Sequence, residues 1–304
     1  MSDIKLFSIE DGIAVELPGE AAALERSLQS VLERNLDALL GVRLLASEYS
    51  TGPKHGGRID TLGIDENGCP VIIEYKRATN ENVINQGLFY LDWLLDHRGE
   101  FALLTMEKYG KEAADAIDWS APRLLCIAGG YTRYDEHAVQ QMNRNIELLR
   151  YRRFGERLLL MELVNAATAR EPAPEEEGGS FGSGATYKTI DEVLSELQGP
   201  LRDLYEELRA FLLALGDDVQ EKTLKYYVAF KRIKNFACIE IHPGKRCLTA
   251  FVKVDPDSVE LEPDFTRDVR KVGHLATGDL EITLRSRGDL ERARGLFTKS
   301  HEVS

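Results

Sequence analysis

GRIDTLGIDENGCPVIIEYKR, residues Gly57 to Arg77, decides the reading of this chain. Two extended runs, Arg58 to Ile64 and Pro70 to Lys76, flank Asn67-Gly68, a hairpin signal. Three charged residues, Asp60, Glu74 and Lys76, interrupt otherwise apolar strands. Side chains alternate along a strand, so Glu74 and Lys76 share one face while Val71, Ile73 and Tyr75 take the other. Charges on a buried strand are costly unless they are paired or gather an ion.

Register decides whether Asp60 joins them. A two-residue loop at Asn67-Gly68 would set Asp60 opposite Tyr75, on the wrong face. A three-residue loop, Glu66-Asn67-Gly68 with Gly68 left-handed, pairs Asp65 with Cys69 and therefore Asp60 with Glu74. The three-residue loop is expected. Like charges placed opposite each other repel unless a divalent cation lies between them. Two carboxylates, a backbone carbonyl and waters suit Mg2+ or Mn2+. A lysine beside them can orient a water or neutralise charge on a phosphate oxygen. Phosphodiester hydrolysis is the chemistry that needs this set.

Outward from the hairpin, Ala22 to Leu40 has helical spacing of leucines and a stop at Gly41. A second helix is expected over Thr79 to Asp96, capped by Thr79 or Asn80. Strands are expected at Phe101 to Met106, Arg123 to Ala128 and Leu158 to Val164, and a helix over Asp135 to Arg153. This order predicts an α/β domain: a mixed β-sheet flanked by helices. The segment from Ala166 to Lys188, rich in Pro, Glu, Gly and Ser, reads as a flexible linker. Beyond it, helices over Thr189 to Leu197 and Pro200 to Leu215 precede strands at Tyr226 to Arg232, Phe236 to His242, Cys247 to Lys253 and Glu281 to Arg285. A final helix is expected from Gly288 to Phe297. Residues 1–165, 166–188 and 189–304 are thus read as an α/β domain, a linker and a smaller α+β accessory domain.

Composition narrows the class. The chain has 304 residues, and Lys+Arg 38 against Asp+Glu 51 gives a net charge of −13. Both halves are acidic, so nucleic acid could be held only by a local basic surface, not by the global field. Two such clusters stand out: Arg150, Arg152 and Arg153 with Tyr151 and Phe154, and Lys225, Lys231, Arg232 and Lys234 with Tyr226, Tyr227 and Phe236. A helix C-terminus would attract the first for dipole reasons alone. Alternation must turn half of the second set's aromatics into a core. No apolar run approaches the roughly 20 residues of a membrane span, and no signal segment is evident, so a cytoplasmic protein is expected. The four Cys include no Cys-x-x-Cys spacing, which excludes a disulfide scaffold and a structural zinc ribbon.

Asp60 followed by Glu74-Tyr75-Lys76 resembles the catalytic core of the PD-(D/E)XK, or restriction-endonuclease-like, nuclease superfamily. The resemblance is closest to the catalytic domain of NucS-type mismatch and branched-DNA endonucleases and covers roughly Leu24 to Val164. Gln86 and Tyr90, at i and i+4 on the second helix, are similar to the family's Gln-x-x-x-Tyr motif. Glu33, at the edge of the first helix's apolar stripe, resembles its helical acid. Ile59 stands where the nominal proline would be. The resemblance implies a metal-dependent nuclease, acting on DNA ahead of RNA in repair or defence. It makes Asp60, Glu74 and the Tyr75 carbonyl ligands of Mg2+ or Mn2+ and gives Lys76 the attacking water. Gln86 and Tyr90 would position the strand or hold Lys76, and Glu33 would serve a second metal or a metal-bound water. The portion after the linker resembles an uncharacterised domain often appended to such modules, suited to docking substrate, binding a protein partner or self-association. The competing reading is a nuclease-fold module without turnover that binds nucleic acid or a protein.

Overall fold

The computed structural model describes residues 4–20, 25–76, 83–169, 188–273 and 276–304. They fall into two compact units: Met1–Asp65, Cys69–Ile117 and Ala121–Pro172, and Glu66–Gly68, Asp118–Ser120 and Ala173–Ser304.

The first unit opens with a two-stranded ribbon, β1 (Leu6–Glu10) and β2 (Ile13–Leu17), and a short β3 (Gly19–Glu20). Helices α1 (Glu25–Arg34) and α2 (Leu36–Leu40) follow. Leu28, Leu32, Leu36 and Leu40, four residues apart, are buried. Gly41 ends the run at φ 62°, accepting the left-handed cap that a side chain resists. Then come β4 (Val42–Ser50), a single turn α3 (Gly52–His55), β5 (Arg58–Asp65) and β6 (Pro70–Lys76). Three helices succeed them: α4 (Val83–Asp96), α5 (Arg98–Tyr109) and α6 (Lys111–Asp115). The unit closes with β7 (Arg123–Ala128), α7 (Arg133–Gln140), β8 (Asn145–Phe154) and β9 (Leu158–Ala167).

The strands form one mixed sheet in the order β3-β8-β7-β6-β5-β4, with β9 on β8. Strands β6, β7 and β8 are parallel neighbours, and the other pairs are antiparallel. All six residues of β7 are buried, as expected of a parallel strand covered on both faces. The α/β architecture is the one the sequence predicts.

The first expected helix is divided at Asn35 into α1 and α2, and two further elements differ in kind from expectation. Phe101 to Met106 is not a strand but part of α5. Only Phe101 and Thr105, one helical turn apart, are buried; Leu103 and Met106 face solvent, so the apolar run was the edge of a helical stripe. Asp135 to Arg153 is not one helix. Helix α7 ends at Gln140 and β8 begins at Asn145. Glu147 and Arg150 break the β8 run at a helix-like interval, but both are buried and ion-paired, to Arg123 and Glu162. The last strand runs through Ala167, two residues into the expected linker, and residues 170–187 of that linker lie outside the described residues. So do Thr79 and Asn80, the expected cap of the second helix.

The second unit contains α8 (Ile190–Glu196) and α9 (Pro200–Leu213), then β10 (Gln220–Thr223), β11 (Val228–Lys231), β12 (Asn235–His242), β13 (Cys247–Val252), β14 (Thr266–Asp268), β15 (Leu280–Leu284) and α10 (Arg287–Glu302). Its six strands form an antiparallel sheet in the order β10-β11-β12-β13-β15-β14. Alternate residues such as Phe230, Ile239, Leu248 and Ile282 pack with Leu208 and Leu212 of α9 and Phe297 of α10 in one core. Thr189 starts α8 with a capping box closed by Glu192. No helix among the described residues is long and apolar enough to cross a membrane.

Candidate functional site

The hairpin has the three-residue loop. Thr61 pairs with Ile73 and Ile64 with Pro70, which sets Asp65 opposite Cys69 and Asp60 opposite Glu74. Gly68 takes φ 78°, the left-handed position the loop needs. The backbone ladder stops at Thr61, and side chains take over beyond it. Asp60 N–H donates to Glu74 Oε1 at 3.1 Å, and Tyr75 N–H donates to Asp60 Oδ2 at 3.0 Å. Each carboxylate thus caps the opened end of the neighbouring strand.

Glu74 is fully buried. Burial first, and the Asp60 carboxylate second, push its pKa up from the usual carboxylate range to about 9. The Lys76 charge pulls in the other direction and does not overcome them. Helix α4 lies over this face and supplies Gln86, whose Nε2 donates to Glu74 Oε2 at 3.0 Å and approaches Tyr90 Oη at 3.5 Å. Tyr90 Oη in turn accepts the Arg58 N–H at 3.1 Å. Gln86 and Tyr90 therefore hold Glu74 and the start of β5.

Glu33 is placed differently. Its Oε1 accepts from the Thr61 hydroxyl at 2.6 Å and from Gln29 Nε2 at 3.1 Å. Thr61 also meets Tyr75 Oη at 3.2 Å, so Glu33 belongs with the face opposite Glu74. Among the described residues, no three His, Cys, Asp or Glu side chains gather as a metal-binding group. The structure thus joins Asp60, Glu74, Gln86 and Tyr90, with the Lys76 charge acting on Glu74, and leaves Glu33 behind the sheet.

The sequence reading missed three residues. Gln29 is buried and donates to Asp60 O at 2.9 Å as well as to Glu33, tying α1 to the backbone that carries the acid. Its signal was a polar residue next to Leu28 in the apolar stripe, one turn before Glu33. Thr61, fully buried, links Glu33 to Tyr75. Arg123 is buried at the other end of β5: it reaches Asp65 Oδ2 at 2.7 Å and clasps Glu147 with two bonds of 2.9 Å. Its guanidinium is held well above the ordinary arginine value by these two carboxylates, despite burial.

Several members of the two basic clusters are already engaged, while Lys225 and Tyr226 are exposed. Arg150 is buried against Glu162. Lys231 and Phe236 are buried in the second unit, and Arg232 pairs with Asp218 at 2.7 Å.

A cleft of about 760 Å³ adjoins the acid pair, lined by Ser50, Gly52, Pro53, Gly56, Gly57, Arg58, Gln86 and Tyr90. Gly57 must lack a side chain: a Cβ there would stand 2.5 Å from the Tyr90 ring.

Residues 190–304 match the family model described as "Domain of unknown function (DUF5655)". Across 98% of its length the chain is 27% identical to an uncharacterised protein of Haemophilus influenzae, covering 99% of that protein. Among solved structures it is similar to a repair endonuclease from Pyrococcus abyssi, with 19% identity, a TM-score of 0.28 and coverage of 45% of this chain and 51% of that one. It is also similar to a chain of an EndoMS–dsDNA2 complex, with 20% identity, a TM-score of 0.25 and coverage of 43% and 47%. The chain spans about half the length of these two solved chains.

Proposed function

We propose that the first unit is a metal-dependent phosphodiesterase that cuts nucleic acid, DNA ahead of RNA. The observation that carries this reading is the buried Glu74 set against Asp60, a pair that cannot both be charged without help. A proton on Glu74 relieves it, and so does a cation. The donor set fits a hard cation: two carboxylates on adjacent strands, with the Tyr75 carbonyl, leave the remaining positions to water. Asp60, Glu74 and Tyr75 would hold Mg2+ or Mn2+, which supplies a polarised water and neutralises charge on the phosphate.

The chain's own groups do the rest. Gln86 fixes the Glu74 carboxylate by its 3.0 Å bond. Tyr90 fixes the β5 backbone two residues before Asp60. Lys76, an ammonium on the Glu74 face, orients the attacking water and offsets the negative charge that grows on the phosphate oxygens. Glu33, bonded to Thr61 and Gln29, steadies the sheet behind the site and touches no substrate. The second unit serves as an accessory domain that docks substrate, a protein partner or a second copy, and the setting is a cytoplasmic one.

The test is cleavage of end-labelled DNA in Mg2+ or Mn2+ by wild type, Glu74→Ala and Lys76→Ala. Loss of about 10²-fold or more in both variants is expected. Equal cleavage by all three would remove the site.

A further inference from the structure

The cleft beside the acid pair has a feature that the proposed chemistry does not use. Its wall from Ser50 to Gly57 is a short glycine-rich turn, and the amides of all three of its glycines are already engaged. Gly57 N–H donates to Thr51 Oγ1, Gly56 N–H to Gly52 O and Gly52 N–H to Ser50 Oγ. An anion in this cleft therefore finds few main-chain donors. The charge must come from Arg58, which lines the cleft with a side chain 65% exposed.

Arg58 stands two residues before Asp60 on β5, so both aim from one face of the strand. It is also steered. Glu48 of β4 lies between the paired positions Ser47–Thr61 and Tyr49–Ile59, opposite Asp60, and takes φ 53°, a left-handed conformation rare for a non-glycine residue. The kink breaks the strand's alternation. Ser47 meets Gln29 of α1 at 3.4 Å, on the Glu33 side, whereas Tyr49 meets Trp93 of α4, ring to ring at 5.6 Å, on the Glu74 side. It also delivers Glu48 Oε2 to Arg58 Nη1 at 3.3 Å. One of the five guanidinium donors is committed there, which holds the fork toward the cleft without using it up. Strained residues of this kind collect at binding sites.

We infer that the cleft is a subsite for a backbone phosphate next to the one being cut, with Arg58 as its cation and Glu48 as the residue that orients Arg58. The inference rests on the nuclease reading and adds to it a second phosphate contact. Arginine suits the task because its planar fork takes two phosphate oxygens at once.

The experiment is DNA binding by the full chain in EDTA, where nothing is cut. The affinity of a labelled single-stranded oligonucleotide is measured across a salt series. Each phosphate neutralised contributes about 0.7 to the slope of log K against log salt. Arg58→Gln is expected to lower that slope by about one such contact and to weaken binding three- to tenfold. Arg58→Lys, which keeps the charge, is expected to retain the slope. Melting curves establish that both variants fold. If wild type binds and Arg58→Gln shows the same slope and affinity, the subsite is overturned while the nuclease reading stands. If wild type neither binds nor cuts DNA, the reading itself fails and takes the subsite with it.

Discussion

Asp60 and Glu74 clasp each other's strands: the Asp60 amide donates to the Glu74 carboxylate, and the Asp60 carboxylate accepts the amide of Tyr75, next to Glu74. The pair is thus built into the backbone at the point where the β5–β6 ladder lets go. Moving either acid requires moving a strand, so the two are presented as a unit.

That unit has a pH signature. Glu74 titrates near 9 in the folded chain and near 4.5 when exposed. The stability this gives is complete below the lower value and is lost as pH climbs through the higher one. In metal-free buffer, the melting temperature of wild type should fall relative to Glu74→Gln between pH 6 and 9, by about 10 °C for roughly 4 kcal/mol. Parallel curves for the two proteins would contradict the buried charge.

Cation binding should run the opposite way with pH. Holding Mn2+ displaces the Glu74 proton, so affinity should rise about tenfold per pH unit up to about 9. Calorimetry in buffers of different ionisation enthalpy counts the proton released. Asp60→Asn should abolish the binding. Gln86→Leu, which leaves the ligands but removes their donor, should weaken it about 10–100-fold.

Much of this site was legible in the sequence because alternation is strict. Once Asp60, Glu74 and Lys76 had to share a face, only the three-residue loop with Gly68 at its end could satisfy them. Residues neutralised by distant partners were not legible. Arg123 finds Asp65 58 positions away and Glu147 24 positions away. Without those partners in view, Glu147 and Arg150 made β8 look like an amphipathic helix. Gln29 was hidden for a similar reason: besides Glu33 of its own helix, its partners are a main-chain carbonyl on β5 and Ser47 of β4, and nothing in composition marks either. Phe101 to Met106 misled because six apolar-rich residues fit a strand and a helix edge alike.

Gly57→Ala should cost about 1–3 kcal/mol, because the added methyl meets the Tyr90 ring at 2.5 Å. Adding Tyr90→Leu should recover part of the loss, a coupling that urea denaturation of the two single variants and the double variant measures. Simple additivity would place the strain elsewhere.

Arg123→Met should destabilise by about 3–5 kcal/mol, since it leaves Asp65 and Glu147 buried without their cation. Combining it with Asp65→Asn and Glu147→Gln should restore a large share. Thermal melts of the single and triple variants make the comparison.

The position of Arg123 has a mechanical side. From β7 it grips neighbouring β8 and reaches across β6 to β5 at the end of the sheet that holds Asp65, whereas at the Asp60 end β5 and β6 have already parted into side-chain bonds. The β5–β6 pair is therefore tied at one end and parted at the other, while β4–β5 and β6–β7 stay laddered through the parted end. Thermal breathing is directed to the end that holds the acid pair, and amides at Asp60 and Tyr75 should exchange with solvent well before that of Asp65.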